Sequence, residues 1–327
     1  MQFLKNKKKL IFIAFSNILL IIFILVTADY CLYKQFCKND SLSSFRKYYP
    51  VPSYLQYYNS AQGKDFSEIT QNDFNFYFRP AYTNPQNKKA IVFFGCSFAY
   101  GDGLKDEQTF HYKIFNQTSG YNTYNFAVCG SGVQYMFYSL NNLKVLDYVL
   151  KPVEYVIYTY IPEQNYRVRK YYNDIITQKN IGLTAAKKNG KVVIEHRIFP
   201  KFFYKTFVFK KFFEIKLYYL FKDKALFRKQ NNELNYLLFR ESKKIINSYY
   251  PNAKTVVLVY HNDTDEFYDK ELFEKLEQDG FIILDTIKLT GKTFTQTERI
   301  DDGFHPNENA WNILTPKIIT ALNLQKK

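Results

Sequence analysis

Ser97 lies in the stretch FFGCSFAYGDG, Phe93 to Gly103, where an apolar run stops at a glycine. A serine hydroxyl is a weak nucleophile at neutral pH and reacts only when a base takes its proton. The chain offers four histidines, His111, His196, His261 and His305. His305 has the context of a base. In DDGFHPNENAW, Asp302 stands three residues before it in a glycine-containing loop, so one loop delivers both groups. The Asp302 carboxylate then holds the Nδ1–H of His305 and leaves Nε2 free to accept the Ser97 proton. Asp301 is the neighbouring carboxylate, but the spacing favours Asp302. His111 and His196 have no such constellation and read as structural.

Attack by a serine on a carbonyl also needs donors for the developing oxyanion. The Ser97 backbone N–H is one. NFAVCGSG supplies the Gly130 N–H, and IPEQNYR supplies the side-chain amides of Gln164 and Asn165. Two further residues are candidates for substrate binding. His261, in VYHND, either lines a substrate pocket or caps a loop. Arg167 either binds an anionic substrate group or is a solvated arginine. No Cys/His spacing matches a metal site, and no P-loop or nucleic-acid motif is present. The expectation is no metal and no nucleic-acid partner.

These residues need a scaffold that brings distant segments to one edge. From residue 88 the pattern alternates strand and helix. Ala90–Phe94, Tyr121–Val128, Tyr155–Ile161, Thr255–Tyr260 and Phe281–Leu284 read as strands. Asp106–Asn116, Gly132–Leu150, Asn232–Tyr249 and Asn307–Leu322 read as helices. Strands separated by helices imply an α/β fold with a parallel sheet and right-handed crossovers. In such sheets the site forms at the carboxyl ends of the strands. Gly95 and Gly101 permit a tight turn around Ser97.

Taken together, Gly95-Cys96-Ser97 with FAYGDGL after it, Asn125 to Gly130, and Asp302-Gly303-Phe304-His305-Pro306 resemble the SGNH (GDSL-type) hydrolase family. The resemblance runs over residues 88 to 327 in order and spacing, apart from one long insertion. It implies a three-layer α/β/α flavodoxin-like domain and a Ser97-His305-Asp302 triad. It also implies an oxyanion hole from the Ser97 N–H, the Gly130 N–H and a third-block asparagine, and no cofactor. Members cleave or transfer acyl groups on esters. Two departures stand out. Cys96 occupies the place where the family usually has Asp. Pro162-Glu163-Gln164-Asn165 replaces the usual Gly-x-Asn-Asp, so the third donor is Asn165 in one register and Gln164 in the other.

Outside the domain the N-terminus carries the clearest signal. KNKKK, Lys5 to Lys9, precedes LIFIAFSNILLIIFILV, 17 uncharged residues from Leu10 to Val26. At about 1.5 Å per residue such a helix just spans a thin hydrocarbon core. The lysines stay cytoplasmic, which puts the rest outside. The expected organisation is a signal anchor at 1–28, an aromatic-rich stalk packed on the domain at 29–87, and the hydrolase domain at 88–327. Cleavage after Ala28 is the competing reading. With the anchor retained, the chain is a single-pass protein of the cell membrane with its catalytic domain extracytoplasmic.

The insertion, at about 166–230, reads as helical. Lys201 to Lys229 carries nine Lys/Arg, two acids and eleven Phe/Tyr, with Phe209, Phe212, Phe213, Leu217, Leu220 and Phe221 on one helical face. It is either a lid or membrane-surface helix, or a hairpin packed on the sheet with its lysines solvated. The net charge of +15 favours anionic surfaces. Cys96 and Cys129 directly precede Ser97 and Gly130. They form either a disulfide clamping the two donors or a pair of small buried residues. Cys31 and Cys37 lie just beyond the anchor.

The functional expectation is hydrolysis of an acyl or acetyl ester on a cell-envelope glycan or lipid. The alternatives are an O-acyltransferase using the same triad and a non-catalytic carbohydrate-binding or scaffold protein.

Overall fold

The computed structural model describes residues 78–168, 182–188, 190–197, 225–261 and 269–327. The apolar segment Leu10–Val26, most of the aromatic stalk, Cys31, Cys37 and the Phe209–Phe221 stripe lie outside them. No helix among the described residues is long and apolar enough to cross a membrane.

The chain enters β1 (Lys89–Gly95), a run buried from Ala90 onward. It continues through α1 (Ser97–Tyr100), α2 (Phe110–Gln117), β2 (Tyr121–Asn125), α3 (Val133–Asn141), β3 (Val153–Tyr160) and α4 (Gln164–Arg167). A hairpin follows, β4 (Gly182–Lys188) and β5 (Lys191–Arg197). Then come α5 (Ala225–Tyr249), β6 (Lys254–Val259), α6 (Lys270–Gln278), β7 (Ile282–Asp285), α7 (Thr286–Thr290) and α8 (Glu308–Ala321). The main sheet is parallel, in the order β2-β1-β3-β6-β7.

Side-chain alternation splits the core in two. Val92, Phe94, Val156, Tyr158 and Val257 pack beneath α3, α5 and α6. Ile91, Phe93, Ile157, Val256 and Leu258 pack beneath α2 and α8. A strand carrying apolar residues at every position is therefore buried on both faces, and the result is three layers, α/β/α. The strand order reverses direction between β1 and β3, and ligands of open α/β sheets bind at such a point.

Several elements differ from the sequence expectation. The helix expected from Asp106 begins as a 3₁₀ turn, Asp106–Gln108, and restarts at Phe110 because Thr109 is extended. The helix expected over Gly132–Leu150 stops at Asn141. Lys144 adopts φ 49°, which breaks the helix before a second 3₁₀ turn at Val145–Tyr148. β2 ends at Asn125, three residues before Val128. The insertion expected to be helical contains the β4–β5 hairpin, so that expectation is corrected for 182–197. α6, with Leu272, Phe273 and Leu276 buried, was not anticipated. Residues 78–87, the described end of the segment expected to pack on the domain, reach the sheet. Tyr82 exchanges backbone hydrogen bonds with Thr123 on β2, at 3.0 and 2.9 Å.

Candidate active site

The end of β1 lies against the end of β3, with Gly95 opposite Thr159. Gly95 has φ 141°, and a Cβ there would stand 2.8 Å from the Thr159 carbonyl oxygen and 2.9 Å from Ala99 Cβ. Only glycine fits this approach. The loop after β2 is tied to the carbonyl of Gly95 itself. Val128 N–H and Ser131 Oγ–H both donate to Gly95 O, at 3.0 and 2.8 Å.

Ser97 opens α1, a turn of only four residues. As the first residue of a helix, its N–H has no intrahelical acceptor and is available to an oxyanion. The turn closes at Gly101, φ 81°, where a Cβ would meet Thr109 Cγ2 at 2.6 Å. Gly101 and Asp102 N–H groups donate to Ser97 O at 2.9 and 3.0 Å.

The structure brings Ser97, His305 and Asp302 together. His305 Nε2 lies 2.7 Å from Ser97 Oγ. His305 Nδ1 lies 2.5 Å from Asp302 Oδ2. The other carboxylate oxygen, Oδ1, accepts the backbone N–H of Phe304 at 2.8 Å and of His305 at 3.0 Å. The carboxylate is thus fixed by its own loop before it orients the ring. Burial pushes the Asp302 carboxyl up, but hydrogen bonds from the His305 side chain and from the two backbone N–H groups outweigh it. The net direction is below the usual carboxylate range, so Asp302 is ionised at neutral pH. Phe98 packs against the His305 ring at 5.3 Å between centroids.

The loop itself is held at both ends. Ile300 N–H donates to His305 O at 2.9 Å, and Arg299 Nη1 donates to Gly303 O at 3.1 Å. Asn307 caps α8 through Asn309 and Ala310 N–H, and its Nδ2 donates back to Thr297 O and Arg299 O.

The other expected site residues divide. Gly130 sits on the loop that Ser131 ties to β1. Gln164 is fully buried; its Nε2 donates to Thr159 O at 3.3 Å and its Oε1 accepts from Tyr158 Oη at 2.8 Å. Asn165 Nδ2 donates to Asn232 Oδ1 and, at 3.1 Å, to Asp269 Oδ2. Both amides serve the interior, so neither presents a donor to a substrate, and the expected third donor is corrected at both positions. His261 gives its backbone N–H to Thr286 Oγ1 at 3.0 Å, and its Nε2 lies 3.3 Å from Asp285 Oδ2. Of its two readings, the capping one describes this geometry. Arg167 is not solvated. Its Nη1 donates to Ser131 O at 3.2 Å and its carbonyl accepts from Gln134 Nε2 at 2.6 Å, so it braces the Gly130 loop. Cys96 and Cys129 are free thiols in separate clusters, Cys96 under α8 and Cys129 against Ala99, Tyr100 and Ala127. The disulfide alternative is therefore not realised. His196 lies on β5 and His111 is buried. Sequence reasoning missed three residues behind Ser97: Arg79, His111 as a hydrogen-bonding group, and Asn125. Arg79 carries no spacing signal, whereas Asn125 was visible as the polar residue that opens the second block, ahead of Phe126-Ala127-Val128.

No protein-family model matches the chain, and no curated protein matches it. Similar solved structures include a member of the lipolytic protein G-D-S-L family from Veillonella parvula. It is 12% identical, covers 72% of this chain and 98% of its own, and has a TM-score of 0.41. A lipase from a goat rumen metagenome is 12% identical, with 72% and 97% covered and a TM-score of 0.44. An acetyl xylan esterase from the rumen bacterium Butyrivibrio proteoclasticus is 9% identical, with 74% and 65% covered and a TM-score of 0.43.

Proposed function

We propose that the chain is a serine ester hydrolase of the SGNH type. The observation that carries this reading is the continuous hydrogen-bonded line from Ser97 Oγ through His305 to Asp302. Ser97 Oγ attacks the ester carbonyl carbon as its proton passes to His305 Nε2. The carbonyl oxygen becomes an oxyanion facing the backbone N–H groups of Ser97 and Gly130. The tetrahedral intermediate collapses, the C–O bond to the alcohol breaks, and His305 returns the proton to the leaving alkoxide. Water then attacks the acyl-serine as its proton passes to His305; the C–O bond to Ser97 breaks, His305 returns the proton to Ser97 Oγ, and the carboxylic acid is released. Asp302 stays ionised and stabilises the imidazolium at both stages.

A two-donor oxyanion hole is weaker than a three-donor one; a missing donor costs about two to three orders of magnitude in turnover. Turnover is therefore expected at the slow end for such an enzyme. The apolar run behind KNKKK supports a surface location, with the ester on an envelope glycan or lipid. A stable phosphonyl or acyl adduct on Ser97, with turnover of p-nitrophenyl acetate, tests the reading. A folded full-length protein with neither overturns it.

A further inference from the structure

A four-residue helix cannot hold its own C-terminal carbonyls, because no following turn supplies their donors. In α1 the last two carbonyls are served from outside, Ala99 O by Asn125 and Tyr100 O by Arg79. Arg79 also holds the carbonyls of the segment that follows. Its guanidinium is buried, with Nε donating to Tyr100 O at 3.0 Å and Nη2 to Gly101 O at 2.6 Å and Leu104 O at 2.9 Å. Nη1 pairs with Asp106 Oδ1 at 2.6 Å. The guanidinium carbon also lies 4.6 Å from the centre of the Tyr100 ring. All these partners fall between residues 100 and 106, the stretch that leaves the Ser97 turn.

The next residue grips the turn by a second route. Pro80 O lies 3.2 Å from His111 Nε2, and His111 Nδ1 lies 3.1 Å from Asn125 Nδ2. The same Asn125 amide donates to Ala99 O at 2.8 Å, while its oxygen accepts Ala127 N–H at 3.0 Å. Burial, then the Arg79 charge, push the His111 ring down to about 3, so it is neutral here. A neutral ring with its proton on Nε2 donates to Pro80 and accepts from Asn125, which satisfies every atom of the relay.

We propose that Arg79 is a positioning residue for the Ser97 nucleophile, fixing the turn so that Ser97 Oγ meets His305 Nε2. The proposal rests on the esterase reading above. A planar fork that reaches three carbonyls and a carboxylate cannot be replaced by the single ammonium of lysine. Loss of the fork lets the turn drift, and a shift of about 1 Å in a reacting group costs about a hundredfold in rate.

The test uses full-length protein in detergent with p-nitrophenyl acetate. Active sites are counted by a fluorophosphonate probe, and folding is followed by thermal unfolding. Arg79→Ala should lower kcat per reactive site about a hundredfold with KM within about threefold. Arg79→Lys should not restore it, and added ethylguanidinium should restore part of it in the alanine variant only. Asp106→Ala, which removes the outer anchor of the fork and sits in a less buried turn, decides the matter if Arg79→Ala does not fold. It should lower kcat about tenfold at unchanged KM. Wild-type kcat per reactive site in Arg79→Lys or in Asp106→Ala overturns the proposal, as does a loss explained entirely by fewer folded molecules. A wild-type protein that neither labels nor turns over sinks the esterase reading itself, which is a different result.

Discussion

Replacing Asp302 by asparagine isolates what the carboxylate does for the ring. Oδ1 survives as an amide oxygen and keeps its hydrogen bonds from Phe304 and His305 N–H, so the loop keeps its shape. Oδ2 becomes an NH₂ facing His305 Nδ1 at 2.5 Å, where two donors cannot coexist. The ring must move its proton to Nε2, the atom 2.7 Å from Ser97 Oγ. His305 then donates toward the serine instead of accepting from it. A wrong tautomer in this arrangement costs about four orders of magnitude in kcat, equivalent to about 5 kcal/mol of barrier. Fold stability should change little, because the Asp302 side chain is 41% exposed and both backbone hydrogen bonds persist. The assay is steady-state turnover of p-nitrophenyl acetate beside thermal unfolding. The expected outcome is a loss of about 10⁴ in kcat at an unchanged unfolding midpoint, with Asp301→Asn within about twofold of wild type. A loss below tenfold in Asp302→Asn, or equal losses in the two variants, refutes the orienting role.

Two other outcomes follow from the same structure. His111 titrates at about 3 in the fold against about 6.5 unfolded, so between those values the unfolded chain binds the extra proton. Its contribution is intact above pH 6.5 and falls away as the pH drops toward 3, on the order of 5 kcal/mol across the window. His111→Gln should flatten that acid slope in urea unfolding; an unchanged slope contradicts the burial argument. Gly95→Ala places a methyl 2.8 Å from Thr159 O at φ 141°, and should lower stability by about 2 to 6 kcal/mol. A melting temperature within about 2 °C of wild type would show that the strand ends can separate.

Much of this was legible in the chain because the signals were local. Ala90–Phe94 announces a doubly buried strand by being apolar at every position, and Asp302 and His305 announce a pair by sharing one loop. What failed were assignments set by distant partners. Asn165 looked like an oxyanion donor by its place in the third block. Its direction is decided by Asn232 and Asp269, which the sequence does not place beside it. Arg79 was one arginine in an aromatic stretch, and its role exists only because the nucleophile turn is too short to satisfy its own carbonyls. The hairpin was a different failure. Asn189-Gly190 is a strong two-residue hairpin signal, and it was obscured by the basic, aromatic composition of the insertion around it. α6 had a readable apolar stripe in Leu272, Phe273 and Leu276, within a charged nonapeptide that hid it.

The central claim is that Ser97 is an activated nucleophile, and mass spectrometry of the full-length protein after fluorophosphonate treatment tests it most directly. The structure predicts a single phosphonyl adduct on the peptide that contains Ser97. That adduct should be absent from Ser97→Ala and strongly slowed in His305→Ala. An unmodified Ser97 in folded wild-type protein, or an adduct that persists in Ser97→Ala, would contradict it.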